Sequence, residues 1–158
     1  MSSDDHAPGL LDAPRYNHVL VAVDASSTSE FMLRHVVHHA VIDRSRLTLM
    51  TVIVPPSATT AMAGVAPERL LADTEAFAEK HLRQFASRIP ESVSVTTIVR
   101  RGRAAEEIVR AADELAVDVV CVGSRGRPRA ASALLGSVSA SVMHHSPVPV
   151  LVFHPPAR

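Results

Sequence analysis

The sequence is poor in the residues that most often build special frameworks. One cysteine stands among 158 residues, so no disulfide can form within the chain. That residue, Cys121, lies in the apolar run Val119-Val120-Cys121-Val122, where a thiol reads as a small buried hydrophobe and not as a redox centre. Tryptophan is missing and aromatics make up only 3%. The core must therefore come from Val, Leu, Ile and Ala, which suits buried parallel strands covered by helices. Neither sign of charge is in excess, since 16 Lys and Arg balance 16 Asp and Glu. No global field draws the chain to nucleic acid, and any attraction for an anion must be local. No apolar stretch reaches the length of a membrane span. Residues 1–14 are polar, with an acidic pair at Asp4 and Asp5, and lack the basic and apolar regions of a signal peptide. The expectation is a cytoplasmic protein with a flexible tail over 1–16 and one domain over 17–155. Neither nucleic acid nor membrane is expected as a partner.

What is present alternates strand with helix. His18-Val19-Leu20-Val21-Ala22-Val23-Asp24 is short, apolar and valine-rich, so it reads as a buried strand. Ser27 and Glu30 then fit a capping box, followed by a helix with Leu33, Val36, Val37, Ala40 and Val41 as its apolar stripe. Leu47 to Val54 is a second strand, closed by Pro55-Pro56. A second helix carries Leu71, Thr74, Ala78, Leu82, Phe85 and Ile89 and ends at Pro90. Val93 to Val99 is a third strand, with Val93, Val95, Thr97 and Val99 on one side. Gly102 introduces a third helix that buries Ile108, Ala112 and Leu115, and Val117 to Val122 is the fourth strand. A short helix through Ser141 leads to a fifth strand, Val148 to Phe153. Pro149 cannot donate to a ladder, so that strand should be an edge. The economical fold is α/β, a Rossmann-like doubly wound five-stranded parallel sheet with helices on both faces. Ligands of such sheets sit beyond the strand C-termini where strand order reverses. The ends of the first and fourth strands, at Asp24 and Gly123, are the places to look.

After the fourth strand comes Gly123-Ser124-Arg125-Gly126-Arg127-Pro128-Arg129, and then Gly136-Ser137-Val138-Ser139 opens the last helix. Glycine lets backbone approach a phosphate closely. N–H groups at a helix start favour an anion, and Ser137 and Ser139 add hydroxyls. The three arginines supply local charge that the zero net charge conceals. No Gly-Lys-Ser/Thr follows the glycines, so this is not a Walker A loop.

The spacing of glycine, two residues, glycine, nine residues, glycine, serine over 123–137 strongly resembles the ATP-binding motif of the universal stress protein family. Val21-Ala22-Val23-Asp24, Thr51-Val52-Ile53 and Pro147 to Val152 resemble that family's first strand, second-strand end and closing strand. The likeness runs from about His18 to Phe153. It implies ATP, with Mg or Mn as companion ion, held by a regulatory protein with slow or no hydrolysis and no catalytic residue. It implies that Gly123, Gly126, Gly136 and Ser137 contact ribose and phosphates, with Ser124, Arg125, Val138 and Ser139 as further candidates. Asp24 would then meet the ribose or adenine end, and Val52 the base through its backbone. A homodimer through Val148 to Phe153 is implied as well. Ala25 departs from the family, where glycine is common, and the loop is more basic than is usual.

Other functions compete with this one. A nucleotide-using enzyme, an ATPase or nucleotidyl transferase, would need a positioned base that the sequence does not display. A ligand-free dimeric interaction module has no use for the intact glycine spacing. ATP and a related nucleotide such as cyclic AMP both suit the motif. His35, His38 and His39 stand at helical neighbour spacing, which a metal site could use, but they flank the apolar stripe and read as a solvated face. His144 and His145 read as complements to a helix C-terminus. Arg100-Arg101-Gly102-Arg103 has no interleaved aromatic and reads as a solvated turn.

Overall fold

A computed structural model describes residues 15–55, 67–124 and 136–155. Residues 1–14 of the tail expected over 1–16, most of the loop after the second strand, and Arg125, Gly126, Arg127 and Arg129 lie outside the described residues. In chain order the elements are β1 (His18–Ala22), α1 (Ser27–Asp43), β2 (Arg46–Ile53), α2 (Pro67–Ala86), β3 (Val95–Arg101), α3 (Ala104–Glu114), β4 (Val119–Gly123), α4 (Ser137–His145) and β5 (Val150–Phe153). The strands form one parallel sheet in the order β3-β2-β1-β4-β5. The order therefore reverses between β1 and β4, as expected, and β5 is an edge.

Strand side chains alternate between two faces, and the apolar residues divide accordingly. Val19, Val21 and Val23 pack with Met32, Leu33 and Val36 of α1 and Leu82 and Phe85 of α2. Leu20, Met50, Val120 and Val122 pack on the other face with Ile108, Ala111 and Ala112 of α3 and Val142 of α4. β1 is thus covered on both sides, which is why its sequence is a continuous apolar run. Each fully buried Leu or Val contributes about 1.5–3 kcal/mol. Cys121 lies in this core, where burial pushes its thiol up to about 12, so it stays protonated and unreactive.

Several element ends differ from expectation. The N-cap of α1 is Ser26 and not Ser27, because the Ser26 hydroxyl is the one that accepts the Ser29 N–H, at 3.3 Å. Val41 is 45% exposed. The buried stripe of α1 runs through Ser29, Met32, Leu33, Val36 and Ala40, and Val41 falls one step around the helix from it. Thr74 and Thr97 are exposed as well. The helix α2 ends at Ala86, and Ile89 is buried from the turn that follows. Val93 is buried ahead of β3, held in a turn by its N–H to the Pro90 carbonyl. β4 starts at Val119 because the Val117 N–H still closes α3 onto the Ala112 carbonyl, with Ala116 left-handed at φ 46°. The helix α4 runs past Ser141 to His145, so His144 and His145 lie in its last turn. β5 begins at Val150, since Pro149 contributes only its carbonyl, which accepts from the Val120 N–H.

Candidate functional site

The C-terminal ends of β1, β2 and β4 enclose a cleft of about 150 Å³. Its apolar surface comes from Ala22, Met50, Val52, Ile108 and Val122, and its polar groups come from Asp24, Ser29 and the Gly123 backbone. Ala104 opens α3 and Val138 lies in the first turn of α4, so two helix starts reach it. A pocket for a whole small ligand usually measures roughly 300–1,000 Å³. This cleft accommodates one flat, largely apolar group and leaves the rest of a larger ligand outside.

Asp24 stands two residues beyond the end of β1. Its Oδ1 accepts from the Ser26 N–H (3.0 Å), the Ser26 hydroxyl and the Ser29 hydroxyl (2.8 Å). Its own N–H donates to Ser29 Oγ at 2.9 Å. The start of α1 is thereby closed on itself, and Asp24 Oδ2 has no hydrogen-bond partner among the described residues.

The backbone of Val52 reaches the cleft by a simple alternation. The Met50 carbonyl accepts from Val23 N–H on the β1 side, and the Ile53 carbonyl accepts from Gly102 N–H on the β3 side. Alternate residues of a strand face alternate neighbours, so the Val52 N–H and C=O point past the end of β1. The ladder would next run from Val52 N–H to the Val23 carbonyl, but that carbonyl takes the Thr51 hydroxyl at 2.9 Å. The Val52 N–H and C=O, from two successive peptide groups, face the cleft with no backbone partner among the described residues.

The starts of α3 and α4 differ in charge. The helix α3 carries Glu106 and Glu107 in its first turn. Glu107 is buried, pairs with Arg110 at 2.7 Å, and packs so closely that a Cβ on Gly102 would lie 3.0 Å from its Cγ. Gly102 has φ +145°, so glycine is required there on both counts. The helix α4 has no acid in its first turn, and its N-cap, Gly136, has no side chain to cap it. Its first N–H groups, on Ser137, Val138 and Ser139, have no partner within the helix.

Four of the residues expected from sequence line the cleft: Asp24, Val52, Gly123 and Val138. Gly136 and Ser137 open α4 beside it. Ser124 and Ser139 are buried, at 1% and 2% exposure, and both hydroxyls are engaged within the protein. Ser124 Oγ bonds His154 Nδ1 at 2.8 Å, and Ser139 Oγ donates to the Gly136 carbonyl at 2.9 Å. Sequence reasoning missed Ser29, Met50 and Ile108. Ile108 reads from sequence as part of a buried helix face, which is the right element without the site. Among the described residues no three His, Cys, Asp or Glu side chains group as a metal site. His35 Nδ1 bonds the Phe31 carbonyl of its own helix at 2.8 Å.

The chain is 32% identical to the universal stress protein YxiE of Bacillus subtilis over 146 residues, covering 87% of this chain and 98% of that protein. Among solved structures, its fold matches that of the hypothetical protein MJ0577 with a TM-score of 0.81 at 26% identity, over 92% of this chain and all of the other. MJ0577 is a universal stress protein of Methanocaldococcus jannaschii. A universal stress protein solved in complex with cAMP shares the fold with a TM-score of 0.64 at 24% identity, over 89% of this chain and 98% of that one. The profile of the Universal stress protein family matches residues 15–154, and the chain belongs to that family.

Proposed function

We propose that this protein binds an adenine nucleotide, ATP above all, as a regulatory ligand in the cleft between β1 and β4. The observation that carries this reading is the uncapped, acid-free start of α4 on the same cleft as Asp24. A helix start of that kind favours phosphate. A carboxylate would repel phosphate, so Asp24 Oδ2 takes a ribose hydroxyl at the other end. The flat base lies on the apolar surface, and the open Val52 peptide meets its edge with one donor and one acceptor. Gly123 allows close approach at the turn out of β4, and Arg125 and Gly126 would meet the phosphates from the segment that follows. The related protein solved with cAMP supports an adenine ligand in this fold.

The donor set suits ATP with Mg or Mn carried on its phosphates, because among the described residues the cleft offers one carboxylate and no cluster of metal ligands. Turnover should be slow or absent. Phosphoryl transfer needs an oriented nucleophile as well as charge, and the cleft's carboxylate is tied to two serines at the ribose end. The open edge of β5, with Leu151 41% exposed, suits a homodimer in which the sheet continues across a two-fold axis.

Isothermal titration with ATP, ADP, AMP and cAMP tests the reading, together with mass spectrometry of the denatured protein for a co-purifying nucleotide. ATP should bind more tightly than AMP, because each added phosphate meets the α4 start or the arginines. Failure of all four to bind would overturn the proposal.

A further inference from the structure

Ser124 and Gly136 are the described residues on either side of 125–135. The two are joined directly: the Gly136 N–H donates to the Ser124 carbonyl at 2.6 Å. The Ser139 hydroxyl reaches the same carbonyl at 3.4 Å. Ser124 therefore fixes where α4 begins. Ser124 is in turn fixed by the end of β5. Its N–H donates to the Phe153 carbonyl at 2.8 Å, and its buried hydroxyl bonds His154 Nδ1 at 2.8 Å. Every polar group of this one residue is used, and together they run from β5 to the start of α4.

We infer that His154 is a positioning residue for the phosphate end of the site, acting through Ser124 on the start of α4. His154 is itself exposed, outside the cleft lining. Its ring gives the Ser124 hydroxyl its one side-chain partner among the described residues. A buried hydroxyl left without a partner seeks another one, and the nearest way to do so is to turn Ser124 and displace its carbonyl. The contact survives either charge state of the ring, because a hydroxyl can donate to Nδ1 or accept from Nδ1–H. The consequence is local to phosphate: the base and ribose contacts at Val52 and Asp24 lie on β2 and just beyond β1, to which His154 makes no hydrogen bond among the described residues.

This inference rests on the nucleotide reading, and the test separates the two. Titrate parent, His154→Ala, Ser124→Ala, the double variant and His154→Asn with ATP and with adenosine. Loss of one hydrogen bond should weaken ATP about two- to tenfold in His154→Ala while adenosine binding stays unchanged. The double variant should be no worse than either single change, since both break the same contact. Asparagine places an amide oxygen near the position of Nδ1, so His154→Asn should restore most of the ATP affinity. Equal losses for ATP and adenosine, or parental ATP binding in His154→Ala, would overturn the positioning role. If the parent binds no adenine nucleotide, the functional reading fails, and hydrogen exchange at the Gly136 amide decides the positioning alone. Faster exchange in His154→Ala than in the parent supports it, and equal exchange rejects it.

Discussion

The two ends of β1 and β4 are built from the same kinds of residue and behave in opposite ways. At the N-terminal end the strands are stitched together across long sequence separations. Asp118 Oδ2, just before β4, accepts the N–H groups of Asn17 (2.7 Å) and His18 (2.8 Å), and the Asp118 N–H returns to the His18 carbonyl at 2.9 Å. The buried His18 ring is held from both sides by β2. Arg46 donates to Nδ1 at 2.9 Å, which leaves Nε2 to donate to Thr48 Oγ1 at 2.8 Å. At the C-terminal end the aspartate bonds only to serines within five residues of itself. The β1–β4 pairing stops at Val21 and Cys121, and among the described residues no hydrogen bond joins Asp24 to Gly123. Polar groups that close on one another hold strands together. Polar groups that close only locally leave a crevice whose remaining donors and acceptors are available to a ligand.

The comparison breaks most sharply if the start of α4 is made to resemble the start of α1. Gly136 has φ −72° and ψ 154°, which any residue adopts, so Gly136→Asp should fold. An aspartate there caps α4 and complements its dipole, raising stability by about 0.5 kcal/mol. It also occupies the N–H groups proposed for phosphate and adds a like charge. ATP affinity should fall by about a hundredfold or more, ~3 kcal/mol. Denaturant melts and calorimetric titration measure the two. A variant that is more stable and still binds ATP normally would show that α4 is not the anion site.

A smaller effect is expected at the other side of the cleft. Asp24→Ala should weaken ATP, ADP and AMP by similar factors, roughly 1.5–3 kcal/mol or about one to two powers of ten. The change removes the acceptor of both serines as well, so some stability at the α1 start goes with it. Replacing Arg125, Arg127 and Arg129 should instead hurt ATP most and AMP least, with a loss that shrinks at high salt. Selectivity for triphosphate in Asp24→Ala would reverse the assigned orientation of the ligand.

The same contrast explains what could be read from sequence. The strands were legible because valine-rich runs such as Val19 to Val23 must be buried on both faces. The alternation of strand and helix implied a doubly wound parallel sheet with one reversal of order, and the strand order places it between β1 and β4. The glycine spacing pointed at the α4 start. What escaped depends on register or on competing neighbours. Ser26 and Ser27 are equally good caps as residues, and only the position of Asp24 selects Ser26. His18 looked like the polar head of an apolar strand. Its partners Arg46 and Thr48 lie on β2, and nothing in either segment shows that His18 sits opposite Arg46 until the register is known. The engagement of the Ser124 hydroxyl inside the protein was hidden for the same reason, since His154 lies thirty residues along the chain from it.

The smallest expected effect tests the stitched end as a purely structural device. Burial, and then the nearby Arg46 guanidinium, hold the His18 ring below its ordinary value of 6.5, against the opposing pull of the Leu115 carbonyl and the Asp118 carboxylate. A ring kept neutral in the folded state binds its proton more readily in the unfolded chain. The stability it contributes is therefore complete above pH 6.5 and declines as pH falls below that, by at most about 1.4 kcal/mol per pH unit. The measurement is a difference between parent and variant, so that contributions common to both cancel. Urea melts of the parent and of His18→Leu at pH 7.5 and 5.5 should show the parent losing more stability on acidification than the variant. ATP affinity of the folded protein should be the same in both at pH 7.5, because His18 lies at the far end of β1 from the cleft. Equal pH losses would mean that the ring binds its proton as readily in the folded protein as in the unfolded chain. An affinity change in His18→Leu would mean that the two ends of the sheet are not independent, and the contrast between a stitched end and an open one would have to be given up.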